Sequence, residues 1–236
     1  METPVGAPLK VKFRLEITKL REMTFKEKIE YIWEYYKYFI IGIAIVLIIC
    51  GSLINSFLIN PRPETTLFVS WSAGFAFEEQ LDELADVLHE RVLGNAKNEK
   101  VDVAWMLSMG DDPSAQMARI NQLVAMVASG VIDIFTLNRE LIDEYSASGF
   151  LRPMDEVLAE VQRANPGVYE KIRENLIYAM YESEEGNFSE KIMGISVGSS
   201  PLLSELEFFE QELYFSLSIT SKNVENVVRA LIVFFE

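Results

Sequence analysis

The sequence predicts an α/β protein in which an N-terminal transmembrane helix precedes a mainly parallel, three-layer α/β/α sheet domain. The first observation is that residues 38–59 form a run of 22 without a charge, and a helix needs about 20 apolar residues to cross a bilayer. The second observation is that short apolar segments alternate with segments of helical spacing after residue 64. This alternation is typical of a parallel sheet covered by helices.

The region before the sheet domain divides into four predicted segments. They are a cytoplasmic tail (1–23), an amphipathic juxtamembrane helix (24–37), the transmembrane helix (38–59) and a linker (60–64). Thr24 and Glu27 form a capping box that starts the juxtamembrane helix. Pro61 and Pro63 end the transmembrane helix, because proline removes a backbone donor and favours extended structure before it.

The juxtamembrane helix is rich in aromatic rings, which favour the membrane–water interface. We predict that an interfacial belt is made by Tyr31, Trp33, Tyr35, Tyr36 and Tyr38. The alternative is that the same helix docks onto a membrane partner.

The distribution of positive charge predicts the orientation of the chain. Eight Lys and Arg residues precede the apolar span, and only Arg62 follows it closely. Because Lys and Arg accumulate on the cytoplasmic side, the N-terminus is predicted to be cytoplasmic and the C-terminal domain extracellular. A cleaved signal peptide is not expected, since its apolar stretch has only about 7–15 residues. The prediction is a single-pass protein of the cell membrane.

The sheet domain, residues 65–236, is predicted to alternate strands and helices in its first half. Strands are expected at 65–71, 101–107 and 131–137, and helices at 77–93, 113–130 and 139–147. In the second half we expect helices at 155–162 and 168–174, strands at 175–182, 191–197 and 212–219, an irregular or helical segment at 201–209 and a last helix at 223–235.

Charge and residue types exclude several function classes. The chain from residue 61 onward contains 13 Lys and Arg and 30 Asp and Glu, a net charge of −17. This charge argues against nucleic acid as a partner and against a domain that lies flat on anionic lipid. His89 and Cys50 are the sole residues of their types, so triads with a histidine base and cysteine metal sites are not expected. Phosphate-binding glycine motifs are absent. We predict no enzymatic activity, no cofactor and no metal.

A binding site is predicted at the carboxyl ends of the first three strands, where ligands of open parallel sheets lie. The residues expected there are Ser70, Trp71, Ser72, Ser108, Thr136 and Asn138. Small polar groups beside one indole suit an amphipathic ligand that is uncharged or weakly anionic. The alternative is that these are ordinary loop residues.

Asp133 is unusual, because a carboxylate inside an apolar strand is costly unless it is paired or hydrogen-bonded. It belongs to an ordered series of short motifs: Ala128-Ser129-Gly130, Asp133-Ile134-Phe135, Gly149-Phe150-Leu151-Arg152-Pro153-Met154-Asp155, Ile192-Met193-Gly194-Ile195-Ser196-Val197 and Ser199-Ser200-Pro201. This series resembles the extracytoplasmic solute-binding proteins of bacterial uptake transporters, over residues 64–236.

The resemblance implies a type II periplasmic-binding-protein-like fold in reduced form, with Ser199 as a further ligand-binding candidate. It also implies that Asp133, Gly149 and Pro153 are structural, with Asp133 held by backbone N–H groups or a nearby hydroxyl. The sequence departs from the family in its uncleaved membrane helix, its short second lobe and Ser196, which replaces a proline. These departures put ligand capture by lobe closure in doubt.

The predicted function is therefore non-catalytic binding of a small molecule or peptide at the external surface of the cell membrane. The binding is expected to be linked to transport or sensing in a bacterium. The expected partners are the lipid bilayer, that ligand and membrane transporter or sensor subunits, and no nucleic acid. One alternative is a degenerate solute-binding-like ectodomain that acts as a protein–protein interaction module in a membrane complex. A third alternative is an enzyme with a carboxylate-based site.

Overall fold

The structure, a computed structural model, describes residues 17–18, 21, 23–56, 63–72, 74–106, 113–183, 186–209 and 212–236, without the side chains of Tyr35 and residues 113–116. The chain divides into two compact units, Met1–Arg62 and Pro63–Glu236. Both hydrophobic core clusters consist entirely of residues from the second unit.

Within its described residues the first unit contains one long helix, α1 (Phe25–Ile54). This helix runs without a break from the predicted juxtamembrane segment into the predicted transmembrane segment. Residues 57–62, the end of the predicted transmembrane segment and most of the predicted linker, lie outside the described residues. At its start the Thr24 backbone N–H donates to the Glu27 carboxylate at 2.8 Å, and this bond lowers the pKa of Glu27. Within α1, Tyr36–Ile54 is long and apolar enough to span a membrane, judged by length and composition.

The second unit alternates strands and helices through most of its length. Its strands are β1 (Glu64–Trp71), β2 (Glu99–Trp105), β3 (Ile134–Leu137), β4 (Leu151–Arg152), β5 (Leu176–Glu182), β6 (Phe188–Ser196) and β7 (Tyr214–Ser218). Its helices are α2 (Glu78–Leu93), α3 (Pro113–Ala128), α4 (Arg139–Ala147), α5 (Asp155–Ala164), α6 (Pro166–Ile172), α7 (Pro201–Glu205) and α8 (Val224–Phe235). The predicted elements occur in the predicted order, and β4 is an addition to them.

The described strands form one mixed sheet in the order β2-β1-β3-β7-β6-β5, with β4 pairing β7. Only the β1–β2 and β1–β3 pairs are parallel, and β7 is antiparallel to β3, β4 and β6. The prediction of a mainly parallel sheet is therefore wrong. One reason is local: β5 and β6 are joined by a short turn, which only antiparallel neighbours allow.

Helices cover both faces of the sheet, as the three-layer prediction requires. Successive side chains of a strand point to opposite faces, and β1 shows this: Leu67, Val69 and Trp71 enter one core cluster while Phe68 enters the other. The first cluster lies under α2 and α5–α8, and the second under α3 and α4. This packing leaves the carboxyl ends of β1, β2 and β3 together at one end of the sheet.

Candidate functional site

A cleft of about 360 Å³ lies beyond the carboxyl ends of β1 and β2. Its walls combine a few polar groups with apolar side chains. The lining residues are Ser72, Met106, Arg119, Ile120, Leu123, Leu141, Glu144, Tyr145, Ser148 and Phe150. The volume is at the lower end of the roughly 300–1,000 Å³ found for small-molecule sites.

Strand pairing fixes the inner end of the cleft. Ser72 follows β1, and its backbone N–H donates to the Thr136 carbonyl of β3 at 3.0 Å. Met106 follows β2, and its N–H donates to the Trp71 carbonyl at 2.8 Å. Because β1 is parallel to both neighbours, these bonds hold Ser72 and Met106 side by side where the strands end.

Tyr145 of α4 is a polar group of the cleft that its neighbours hold firmly in position. Its ring packs edge-on against Phe135 and Phe150, with centroids 5.4 Å and 5.5 Å away. Burial raises the pKa of Tyr145, the charge of Glu144 adds to this, and a hydrogen bond with Ser72 lowers it in part. Ser72 Oγ is in turn 2.9 Å from Ser70 Oγ. A protonated phenol at neutral pH can donate to, or accept from, a ligand.

The outer part of the cleft carries one charge of each sign. Arg119 of α3 and Glu144 of α4 are both exposed lining residues. Between them the walls are apolar, with Met106, Ile120 and Leu141 among the contributors. The arrangement places a cation, an anion and hydroxyl groups around an apolar space.

The structure brings only part of the predicted ligand set to this cleft. Ser72 lines it. Ser70 and Thr136 are fully buried in the sheet, and the Thr136 hydroxyl donates to the Ser70 carbonyl at 3.2 Å. Trp71 is also fully buried and packs against the tilted ring of Phe208, with centroids 5.1 Å apart. In this conformation these three side chains belong to the core.

Two further ligand candidates do not line the cleft. Asn138 begins α4, and its Oδ1 accepts the Leu141 backbone N–H at 2.9 Å. Ser199 is exposed and is not among the residues lining the cleft, whereas its neighbour Ser200 caps α7 by accepting the Leu203 N–H at 3.4 Å. Ser108 lies outside the described residues.

Asp133 precedes β3 and is 2% exposed. One carboxylate oxygen accepts the Phe68 backbone N–H at 3.0 Å, and the other accepts the Ser221 hydroxyl at 2.7 Å. The Asn223 amide donates to both oxygens, at 3.2 Å and 3.4 Å. The Phe68 N–H and the Ser221 hydroxyl are of the kinds expected from the sequence, and the Asn223 amide is an additional donor. Burial nevertheless raises the pKa of Asp133, and the three donors offset only part of that effect.

The other predicted structural residues lie on the path from α4 to α5. Gly149 follows α4 with φ of +71°, a conformation that side chains with a Cβ rarely adopt. Pro153 lies between β4 and α5. The predicted interfacial residues lie on α1, where Trp33, Tyr36 and Tyr38 are exposed and Tyr31 is half-buried, while the Tyr35 side chain lies outside the description.

No cluster of three or more His, Cys, Asp or Glu side chains in the described part of the chain is arranged to hold a metal ion. His89 Nε2 lies 3.1 Å from the Ala96 carbonyl, next to the Gly94 turn that ends α2. This contact ties a helix end to the following loop.

A comparison with solved structures finds similarity to an extracellular solute-binding protein family 1 from Alicyclobacillus acidocaldarius subsp. acidocaldarius DSM 446. The similarity has 16% identity and a TM-score of 0.31, and it covers 58% of this chain and 28% of that chain. At this TM-score it carries no argument about fold or function. No family model and no curated protein matches the sequence.

Sequence reasoning missed Arg119, Glu144 and Tyr145 as site residues. All three lie on helices, and their approach to Ser72 depends on how α3 and α4 pack over the sheet. One signal was available: Leu141 and Tyr145 of α4 and Ser148, which caps its C-terminal end, recur at helical spacing and share one face.

Proposed function

We propose that this protein is a single-pass, membrane-anchored binding protein whose extracytoplasmic domain holds a small molecule in the cleft of Ser72, Arg119 and Tyr145, without catalysis. The cleft at the carboxyl ends of β1 and β2 is the observation that carries the proposal. It combines the usual place for a ligand in a sheet of this kind with an apolar interior and few polar groups.

The charges of the cleft favour a zwitterionic ligand with an apolar side chain. A ligand carboxylate near Arg119 and an ammonium group near Glu144 would match the two charges, and an apolar group would lie against Ile120 and Leu141. Charge-assisted hydrogen bonds of this kind are stronger than neutral ones. Apolar amino acids and short peptides are therefore the first compounds to test, and uncharged amphipathic compounds are the next.

The membrane part of the proposal depends on α1. Tyr36–Ile54 has the length and composition of a membrane span, and the excess of Lys and Arg before it supports a cytoplasmic N-terminus. With this orientation the cleft samples solutes outside the cell. A role in transport or sensing would follow from capture at the membrane surface.

A thermal-shift screen of the full chain in phosphatidylcholine nanodiscs tests the proposal with apolar amino acids, sugars, short peptides and divalent cations. A ligand that binds only the folded state stabilises it by about 2.7 kcal/mol at 100 times Kd. We expect a shift with an apolar amino acid or a short peptide. No shift across the panel from a well-folded sample contradicts the proposal.

Two substitutions assign any such shift to the cleft. Tyr145→Phe keeps the ring packing and removes the hydroxyl, and Arg119→Gln removes the positive charge. Arg139→Gln on α4 is the matched control, because Arg139 pairs with Asp143 and is not among the residues lining the cleft. We expect the first two variants to lose the shift and the control to keep it. Trp71 is unsuitable for this purpose because its truncation would damage the core.

A second candidate function is the interaction module. A separate exposed aromatic surface beside the edge strand β2 favours it.

A further inference from the structure

An exposed aromatic surface lies at the end of the second unit that carries the carboxyl end of β2. Phe75, Phe77 and Phe209 are 45%, 54% and 61% exposed. The Phe75 ring is 4.9 Å from Phe77, 6.1 Å from Trp105 and 6.3 Å from Phe209, measured between centroids. These four rings, the aromatic cluster, are contiguous, and a contiguous exposed apolar surface indicates an interaction site.

A groove adjoins the aromatic cluster along the edge of the sheet. It has a volume of about 370 Å³, and its walls are Glu78, Leu81 and Asp82 of α2 and Val103, Ala104 and Trp105 of β2. We call it the edge groove. Trp105 belongs to both the edge groove and the aromatic cluster, so the two features form one continuous surface.

β2 is an edge strand, with β1 as its neighbour on one side only within the described sheet. Edge strands are usually protected by charges against pairing with other chains. Here the charges lie in the first half of the strand, where Lys100 pairs with Asp102 at 2.7 Å. Val103, Ala104 and Trp105 carry none, which leaves the carboxyl half of β2 suited to strand addition.

The aromatic cluster is held in place by Gln80 of α2. The Gln80 side chain accepts the Phe77 backbone N–H at 3.0 Å, and it donates to the carbonyls of Leu206 at 3.3 Å and Glu207 at 2.9 Å. These bonds fix the start of α2 to the segment that carries Phe209. A pre-organised surface loses less entropy when a partner binds.

The charges around this surface are negative. Glu78, Glu79, Asp82 and Glu207 are all exposed, and within the described residues neither Glu78 nor Asp82 has a Lys or Arg within ion-pair distance. Glu78 and Asp82 are four residues apart and face the same groove. Electrostatic complementarity therefore selects a basic partner.

We infer that the edge groove and the aromatic cluster bind an extended, basic and apolar segment of a partner protein, which adds as a strand to β2. Lys or Arg side chains of that segment face Glu78 and Asp82, and a large apolar side chain contacts the aromatic cluster. The inference is independent of the cleft and does not need a small-molecule ligand.

The test uses the full chain in phosphatidylcholine nanodiscs and a fluorescein-labelled peptide, Thr-Lys-Val-Lys-Val-Phe-Val-Thr, followed by fluorescence polarisation. In a strand the two Lys and the Phe of this peptide lie on the same face. We expect saturable binding. Replacement of each Lys in the peptide by Glu should abolish binding. Methylation of alternate backbone amides should also abolish it, because it removes the donors that pair with β2 while the side chains remain. Both peptide controls use the unmodified protein, so they do not depend on the folding of a variant.

The protein variants locate the site. Glu78→Lys with Asp82→Lys should weaken binding about tenfold, since two favourable pairs become repulsive. Glu83→Lys with Asp86→Lys is the matched control on the same helix, with the same net charge, and should change Kd by less than about twofold. Equal weakening by both pairs of changes would show general charge attraction and overturn the inference.

Three other results would also overturn it. They are the absence of saturable binding, binding that survives backbone methylation, and a dimer of the full chain that the Glu78→Lys and Asp82→Lys changes dissociate. The last result would assign the surface to a second copy of this chain.

Discussion

Asp133 is the residue whose environment is most demanding. Its buried carboxylate accepts hydrogen bonds from Phe68 of β1 and from Ser221 and Asn223 of the segment before α8. These hydrogen bonds join β1 to that segment. This carboxylate accepts hydrogen bonds from three donor groups. An amide in its place would bring its own NH2 group, also a donor, next to at least one of them. The residue therefore links distant parts of the chain at an electrostatic cost.

We predict that Asp133→Asn lowers the free energy of unfolding by about 1–3 kcal/mol, the cost of an unsatisfied buried group. Urea denaturation of residues 63–236 measures it. Ser221→Ala, which removes one of the three donors, should cost less. A variant as stable as the wild type would show that Asp133 does not have the structural role expected from the sequence.

The pH dependence of stability tests the raised pKa of Asp133. The folded state holds the proton more tightly than the unfolded chain, so the contribution of Asp133 falls as pH rises from the usual aspartate value near 3.8 through the raised value. The difference in free energy of unfolding between the wild type and Asp133→Asn should therefore shrink over that range. A difference that grows with pH would mean that the folded-state pKa is depressed.

At the scale of the element, α4 depends on the residue that caps its N-terminus. Asn138 accepts the Leu141 N–H at 2.9 Å, and loss of such a cap costs about 1 kcal/mol. We predict that Asn138→Ala lowers the free energy of unfolding by this amount, measured by urea denaturation. Asn138→Asp should keep near wild-type stability, because it retains an acceptor oxygen. If both variants bind a cleft ligand as the wild type does, Asn138 contributes a cap and no ligand contact.

The packing of β6 against β7 and α4 depends on Gly194. A Cβ at this position would lie 3.0 Å from Ile142 Cδ1 and 3.1 Å from Ser216 Oγ. We predict that Gly194→Ala costs about 1–3 kcal/mol, as overpacking usually does. Ser216→Ala should reduce that cost in the double variant, because the Ser216 hydroxyl is buried and finds no hydrogen-bond partner among the described residues. Additive costs in the double-mutant cycle would contradict the contact.

The elements were predictable from local patterns, while the direction of their pairing was not. Helical spacing indicated α2 and α8, and short apolar runs indicated β1, β2 and β3. β7 lies antiparallel to β3, and this pairing joins residues that are far apart in the chain. Local patterns therefore do not reveal it. Trp71 was expected at the cleft because it ends a strand, but it shares a face with Leu67 and Val69 and is buried with them.

The membrane topology belongs to the whole molecule and has a direct test. The native Cys50 is replaced by Ser, and single cysteines are introduced at Ile17 and at Asp82. A membrane-impermeant maleimide applied to intact cells should label the Asp82→Cys variant and not the Ile17→Cys variant, which should react only after permeabilisation. The reverse labelling pattern would place the cleft in the cytoplasm and contradict the proposed capture of external solutes.

The placement of β7 has a consequence for how this domain is made. Ile134 pairs with Leu217, so the middle of the sheet joins segments roughly 80 residues apart, and pairings of this kind form slowly. During synthesis from the N-terminal to the C-terminal end, β1, β2 and β3 are complete before the strand that joins them to β6 has been made. Until residues 214–218 arrive, the β3 edge is open to pairing with other chains. Chaperones would act on this incomplete sheet, and a truncation before Tyr214 would leave it incomplete permanently.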